Sequence, residues 1–124
     1  MNLVDSCGWL EYFANANNAS FFAPAIENTA KLIVPTLCLF EVFKKVLAER
    51  NEDAALQAVA IMQQGSVVDL DTSISLLGAK ISYEKKLPMA DAIILATAQK
   101  SEAILWTQDA DFKGIAGVNY KVKK

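Results

Sequence analysis

The chain has 124 residues, of which 53% are hydrophobic and 21% charged, with a formal charge of −2. That length makes one domain with a real core, and the charge balance gives no global basic field, so any polyanion has to be held locally. Histidine is absent, which excludes His general bases, Ser-His and Cys-His nucleophiles and His-based zinc sites. A hydrolase made from this chain has carboxylates and hard cations as its apparatus. Cys7 and Cys38 are too few for a disulfide scaffold and show no metal-ligand spacing, so reduced thiols in a cytoplasmic protein are expected. No basic segment followed by an apolar run suggests a signal peptide. The longest apolar run, Leu32 to Phe40, is broken by Pro35 and Thr36 and is too short to span a bilayer, so no membrane role is expected.

Asn2-Leu-Val-Asp5 reads as a short strand ending in an acid, with Ser6 placed to cap a helix over Cys7 to Phe13. Cys7 is expected to be a packed thiol. Asn15 to Ser20 is polar and turn-like, and a second helix is expected over Phe21 to Thr29. Lys31 to Val34 is the second strand, closed by Pro35. Thr36 then caps a long helix from Leu37 to Arg50, whose apolar stripe includes Phe40, Val42, Phe43, Val46 and Leu47, with Glu41 among them. Glu52 to Gln64 is a further helix that stops at Gly65. Ser66 to Leu70 is strand three, and Asp71 or Thr72 caps the helix running to Lys86.

Leu87 to Lys100 follows, with Pro88 suited to a first helical turn. From Met89 to Ala98 nearly every residue is apolar, all the way round, as expected of a buried helix, and Asp91 is the one charged residue in it. A carboxylate there is costly unless donors or a positive charge compensate it. Asp91 either answers the helix dipole, worth about 0.3–1 kcal/mol, or faces a metal site at the edge of the core. Glu102 to Trp106 is strand four, Thr107 to Phe112 a turn with two carboxylates, and Val118 to Val122 an edge strand. Helices alternate with short apolar strands, which argues a three-layer α/β/α sandwich on a central parallel sheet.

In such a sheet the carboxyl ends of all strands share one edge. Asp5, Glu41, Asp91 and Asp109 can therefore converge. Each also has a structural reading: loop acid, flanking partner of Lys44 or Lys45, helix cap. At about 4 Å and an effective dielectric of 20, each like-charged pair costs about 4 kcal/mol. With oxygen-only ligands, Mg²⁺ or Mn²⁺ is the natural counter-charge, and such ions serve phosphoryl chemistry.

Asn2-Leu-Val-Asp-Ser, Pro35-Thr-Leu-Cys-Leu-Phe-Glu41, the Leu87-Pro-Met-Ala-Asp91 helix and Leu105-Trp-Thr-Gln-Asp-Ala-Asp-Phe112 resemble the four blocks of the PIN-domain nucleases. The length is similar to that of the VapC-type toxins of prokaryotic toxin–antitoxin pairs. The resemblance implies a Mg²⁺- or Mn²⁺-dependent endoribonuclease with Asp5, Glu41, Asp91 and Asp109 as its catalytic and metal-binding quartet. Ser6 and Thr107 match the hydroxyls beside the metal, and Asp111 is implied as a supporting acid rather than a ligand. An RNA substrate, a homodimer and a small antitoxin inserting into the active-site groove are also implied. Lys44, Lys45, Lys85 and Lys86 are the expected contacts to RNA phosphates. Two alternatives are a catalytically inactive interaction module of the same fold and a receiver-like phospho-acceptor domain. The latter fits poorly with two helices between strands two and three.

Overall fold

A computed structural model describes residues 1–124. Five strands, β1 (Asn2–Val4), β2 (Leu32–Pro35), β3 (Ser66–Val68), β4 (Ile104–Thr107) and β5 (Val118–Tyr120), form one sheet in the order β3-β2-β1-β4-β5. Every pairing is parallel, with Leu3 opposite both Ile33 and Leu105. Consecutive strand residues face opposite sides. Leu3 and Val4, like Leu32, Ile33 and Val34, are all buried, so both faces of the central strands are covered. The expected α/β/α layering follows. The edge strand β3 is short and ends at Val68, leaving Asp69 and Leu70 outside it.

Six helices connect the strands: α1 (Ser6–Phe13), α2 (Ala19–Glu27), α3 (Thr36–Glu49), α4 (Glu52–Met62), α5 (Thr72–Lys85) and α6 (Met89–Lys100). The caps differ from the sequence reading in three places. Asp5, not Ser6, caps α1, its carboxylate accepting the Ser6 N–H at 2.8 Å. Thr36 is the first residue of α3 and makes no capping bond. Pro88 lies just before α6, extended at ψ 155°, as its fixed ring allows. Asn51 and Asp71 cap α4 and α5 with 2.8 Å bonds to the Ala54 and Ile74 N–H groups. α2 begins earlier than expected and ends at Glu27, and Thr29–Lys31 is a 3-10 turn.

The core holds Trp9, Phe22, Phe112, Met62 and the central strands, with Ala92 and Ile94 to Ala98 from α6. The two ends of α6 are open, with Met89 73% exposed at its start and Gln99 and Lys100 exposed at its close. Gly8 sets how closely α1 seats. A Cβ there would stand 2.6 Å from the Phe22 ring and 2.7 Å from Val4 Cγ1. The strand order turns back between β1 and β4, the place where open parallel sheets leave a crevice outside the strand ends. Asp5 and Asp109 follow those two strands.

Candidate metal centre

Asp5 leaves β1 and starts α1, and its backbone N–H donates to the Trp106 carbonyl at 2.9 Å. The first acid is thereby fixed against the end of β4. Oδ1 accepts from Ser6 N–H, and Oδ2 accepts from Thr107 Oγ1 at 2.8 Å and from the Cys7 thiol at 3.4 Å. Thr107 Oγ1 in turn accepts the Asp109 N–H at 2.9 Å. A chain of donors thus runs from the Asp109 peptide through Thr107 to Asp5 and sets the spacing of the two acids. Asp109 Oδ1 accepts the Asp111 N–H at 2.9 Å, which closes the turn after β4. Asp91 comes from the first turn of α6.

Asp5, Asp91 and Asp109 each place a carboxylate oxygen within 4.8 Å of the other two. Glu41 is not one of this close trio. It reaches the site through Ser6, whose hydroxyl donates to Glu41 Oε1 at 2.7 Å. The Ser6 hydroxyl, expected to cap the helix, instead ties α1 to α3. Asp111 is exposed at the rim. Cys7 is a packed thiol as expected, but it also touches the site, lying 3.5 Å from Thr107 Oγ1. Its place beside Asp5 in sequence is the only signal that could have shown this.

The electrostatics follow from burial and like charge. Burial pushes the Asp5 carboxyl up from 3.8 to about 6, with Asp109 adding to the rise and the Thr107, Cys7 and Ser6 bonds opposing it. Asp91 is pushed up to about 7, first by partial burial and then by the charges of Asp109, Asp5 and Asp111. Burial, with Asp5 beside it, pushes the Cys7 thiol up to about 12. Cys7 is therefore a neutral donor at physiological pH, not a nucleophile.

No basic side chain offsets the trio, because the only ion pair in the molecule is Lys45–Glu49 at 2.9 Å on the surface. Lys45, expected at an RNA phosphate, thus already has a partner. Lys44 borders a cleft with Phe40 and Glu41 and lies 5.8 Å above the Phe40 ring. Lys86 lies 5.4 Å from the Tyr83 ring at the end of α5, with Lys85 exposed beside it. A divalent cation fits the donor set. Three converging carboxylates, with no nitrogen ligand and a neutral thiol, suit a hard ion such as Mg²⁺ or Mn²⁺.

The PIN domain family matches residues 3–118. Solved structures share the fold along nearly the whole chain. A toxin–antitoxin complex from Klebsiella pneumoniae contains a chain 24% identical, with a TM-score of 0.78 and 96% of each chain covered. Mycobacterium tuberculosis VapC20, described as a sarcin-ricin loop cleaving toxin, is 16% identical, with a TM-score of 0.77 over 94% of this chain and 95% of that one. DNA-bound VapBC from Salmonella typhimurium is 16% identical, with a TM-score of 0.76 and 98% of each chain covered. No curated protein matches. With the family matched across almost its entire length and the acids standing at the switch point of its sheet, this chain belongs to the PIN domain family.

Proposed function

We propose that the protein is a Mg²⁺- or Mn²⁺-dependent endoribonuclease and the toxin of a toxin–antitoxin pair. One observation carries the metal dependence: three carboxylates converge within 4.8 Å with no cation paired to them. Asp5, Asp91 and Asp109 would hold the ion, with Glu41 at the rim as the fourth acid. Bound there, the ion supplies a hold on the scissile phosphate and a lowered pKa for the attacking water. The chain's own groups do the rest. Thr107 and Ser6 orient Asp5 and Glu41, and Asp111 supports Asp109 through its N–H. Lys44, Lys85 and Lys86 supply phosphate contacts, and Lys45 does so once released from Glu49. Without histidine, the usual metal-independent ribonuclease route lacks its base for the ribose 2′-hydroxyl, and in this reading the raised carboxylates of Asp5 and Asp91 are taken up by the ion. Water attack leaves a 5′-phosphate and a 3′-hydroxyl.

The partners in this reading are an RNA loop, a small antitoxin and a second copy of the chain in the cytoplasm. The toxin role is supported by the likeness to the Klebsiella pneumoniae complex and to the Mycobacterium tuberculosis toxin. Two apolar surfaces suit the protein partners. A cleft of about 260 Å³ is lined by Leu10, Phe13, Val46 and Ile61 with Arg50 at its edge. On α5 and the start of α6, Leu76, Tyr83 and Met89 are 68%, 78% and 73% exposed.

The test is end analysis of RNA fragments made by purified protein with Mn²⁺, beside an Asp5→Asn control. Products with 5′-phosphates that disappear in EDTA and in the control are expected. Fragments ending in 2′,3′-cyclic phosphate, or cleavage that persists in EDTA, would overturn the reading.

A further inference from the structure

Behind the metal centre lies a second polar cluster, built from residues far apart in the chain. Glu11 on α1, Asn18 before α2 and Gln108 after β4 are 8%, 2% and 5% exposed. Glu11 Oε1 accepts Gln108 Nε2 at 3.1 Å, and Glu11 Oε2 accepts the Asn18 N–H at 2.8 Å. Asn18 Nδ2 donates to Gln108 Oε1 at 2.9 Å and to the Val122 carbonyl at 3.0 Å. Both ends of the Gln108 amide are therefore held, each by a partner of the matching kind. Gln108 is the residue between Thr107, which orients Asp5, and Asp109.

We propose that Glu11 is a positioning residue for the metal centre: by fixing the Gln108 amide it fixes the peptide that carries Thr107 and Asp109. This rests on the metal-centre reading above. Only a carboxylate does this at position 11, because both its neighbours there are donors. An amide at position 11 sets a donor against a donor, whichever way Gln108 turns. Exchanging the two groups restores every bond. With Gln at position 11 and Glu at 108, the position-11 oxygen accepts the Asn18 N–H and its NH₂ donates to the new carboxylate. That carboxylate also accepts Asn18 Nδ2. Orienting partners one layer behind metal ligands contribute about 10- to 100-fold in metal affinity.

The experiment compares wild type, E11Q, Q108E and the E11Q/Q108E double variant. Mn²⁺ affinity is measured by loss of the free-ion EPR signal, folding by urea titration, and RNA cleavage separately. We expect E11Q and Q108E to bind Mn²⁺ at least about tenfold more weakly and the double variant to recover to within about threefold. Wild-type affinity in E11Q overturns the proposal. So does a folded double variant as weak as E11Q, or a loss fully explained by the unfolded fraction. If E11Q does not fold, the double variant decides by the same threshold. Wild type that binds no Mn²⁺ overturns the metal reading and this proposal with it. Wild type that binds Mn²⁺ but leaves RNA intact overturns only the nuclease assignment.

Discussion

Asp5 and Glu11 sit near opposite ends of the same short helix, both are buried carboxylates, and neither has a Lys or Arg partner. Glu11 meets a donor at each oxygen, from Asn18 and Gln108. Asp5 meets three donors, from Ser6, Thr107 and Cys7, yet its pKa still rises to about 6. Burial outweighs the donors, and Asp109 adds like charge. Hydrogen bonds can settle one buried carboxylate. They do not remove the repulsion among three that converge. Both Glu11 oxygens meet donors where they stand, whereas the Asp5 end gathers three carboxylates whose like charge a divalent cation would offset.

The strongest way to break this contrast is to remove a charge from the crowded end. Asp91→Asn should lower metal-dependent cleavage on the order of 10³-fold, as expected for losing several kcal/mol of metal-derived stabilisation. The metal-free protein should be as stable or more stable, because repulsion is relieved. A stable, fully active Asp91→Asn protein would reduce Asp91 to a helix cap.

Titration sharpens the same contrast. Asp5 and Asp91 are raised from 3.8 to about 6 and about 7 in the folded protein. Well below pH 3.8 both are protonated, folded or unfolded. As pH rises the unfolded chain releases these protons first, so their contribution to metal-free stability is lost between about pH 4 and 7. For Asp5 alone this is on the order of 3 kcal/mol; half-exposed Asp91 adds less because solvent screens it. Urea titrations in EDTA should show this fall, and Asp5→Asn should flatten it. At 100 times its dissociation constant Mn²⁺ should return about 2.7 kcal/mol. That gain should fade below about pH 7, where binding has to displace a proton first from Asp91 and then from Asp5. A melting temperature that ignores Mn²⁺ at pH 8 would count against the site.

The seating of α1 joins its two ends. Gly8→Ala forces a methyl against Phe22 and Val4 and should cost about 1–3 kcal/mol. Mn²⁺ affinity should weaken as well, because Asp5 and Glu11 both ride on α1. An unchanged melting curve would mean that the helix tolerates the shift. The smallest effect is expected at the rim. Asp111→Asn keeps the N–H that holds Asp109 Oδ1, so cleavage should fall less than about tenfold, far less than in Asp109→Asn. Equal losses would make Asp111 a ligand.

The strand and helix order, the parallel sheet and the acids at the strand ends were all legible in the chain. Strands such as Leu32-Ile-Val34 are continuously apolar, and a strand buried on both faces has to be. Asp71 was legible as one of two candidate caps, with Thr72 the other, because its partner is only three residues away. The caps at Asp5 and Ser6 were misread because Ser is as good a cap as Asp by local rules. The choice was made by Glu41, 35 residues on, which takes the Ser6 hydroxyl. The same limit hid the polar cluster. Asn15 to Ser20 reads as a polar turn, yet Asn18 is buried by partners 90 and 104 residues later. An acid in the apolar run Trp9-Leu-Glu-Tyr-Phe13 was the signal available for it. Periodicity and capping act within about four residues, so the sequence by itself determined the elements and the kinds of group at the strand ends. Which carboxylates converge, and which are satisfied, was decided only by the tertiary structure, because charge and hydrogen bonding act through space between strands that the chain order keeps apart.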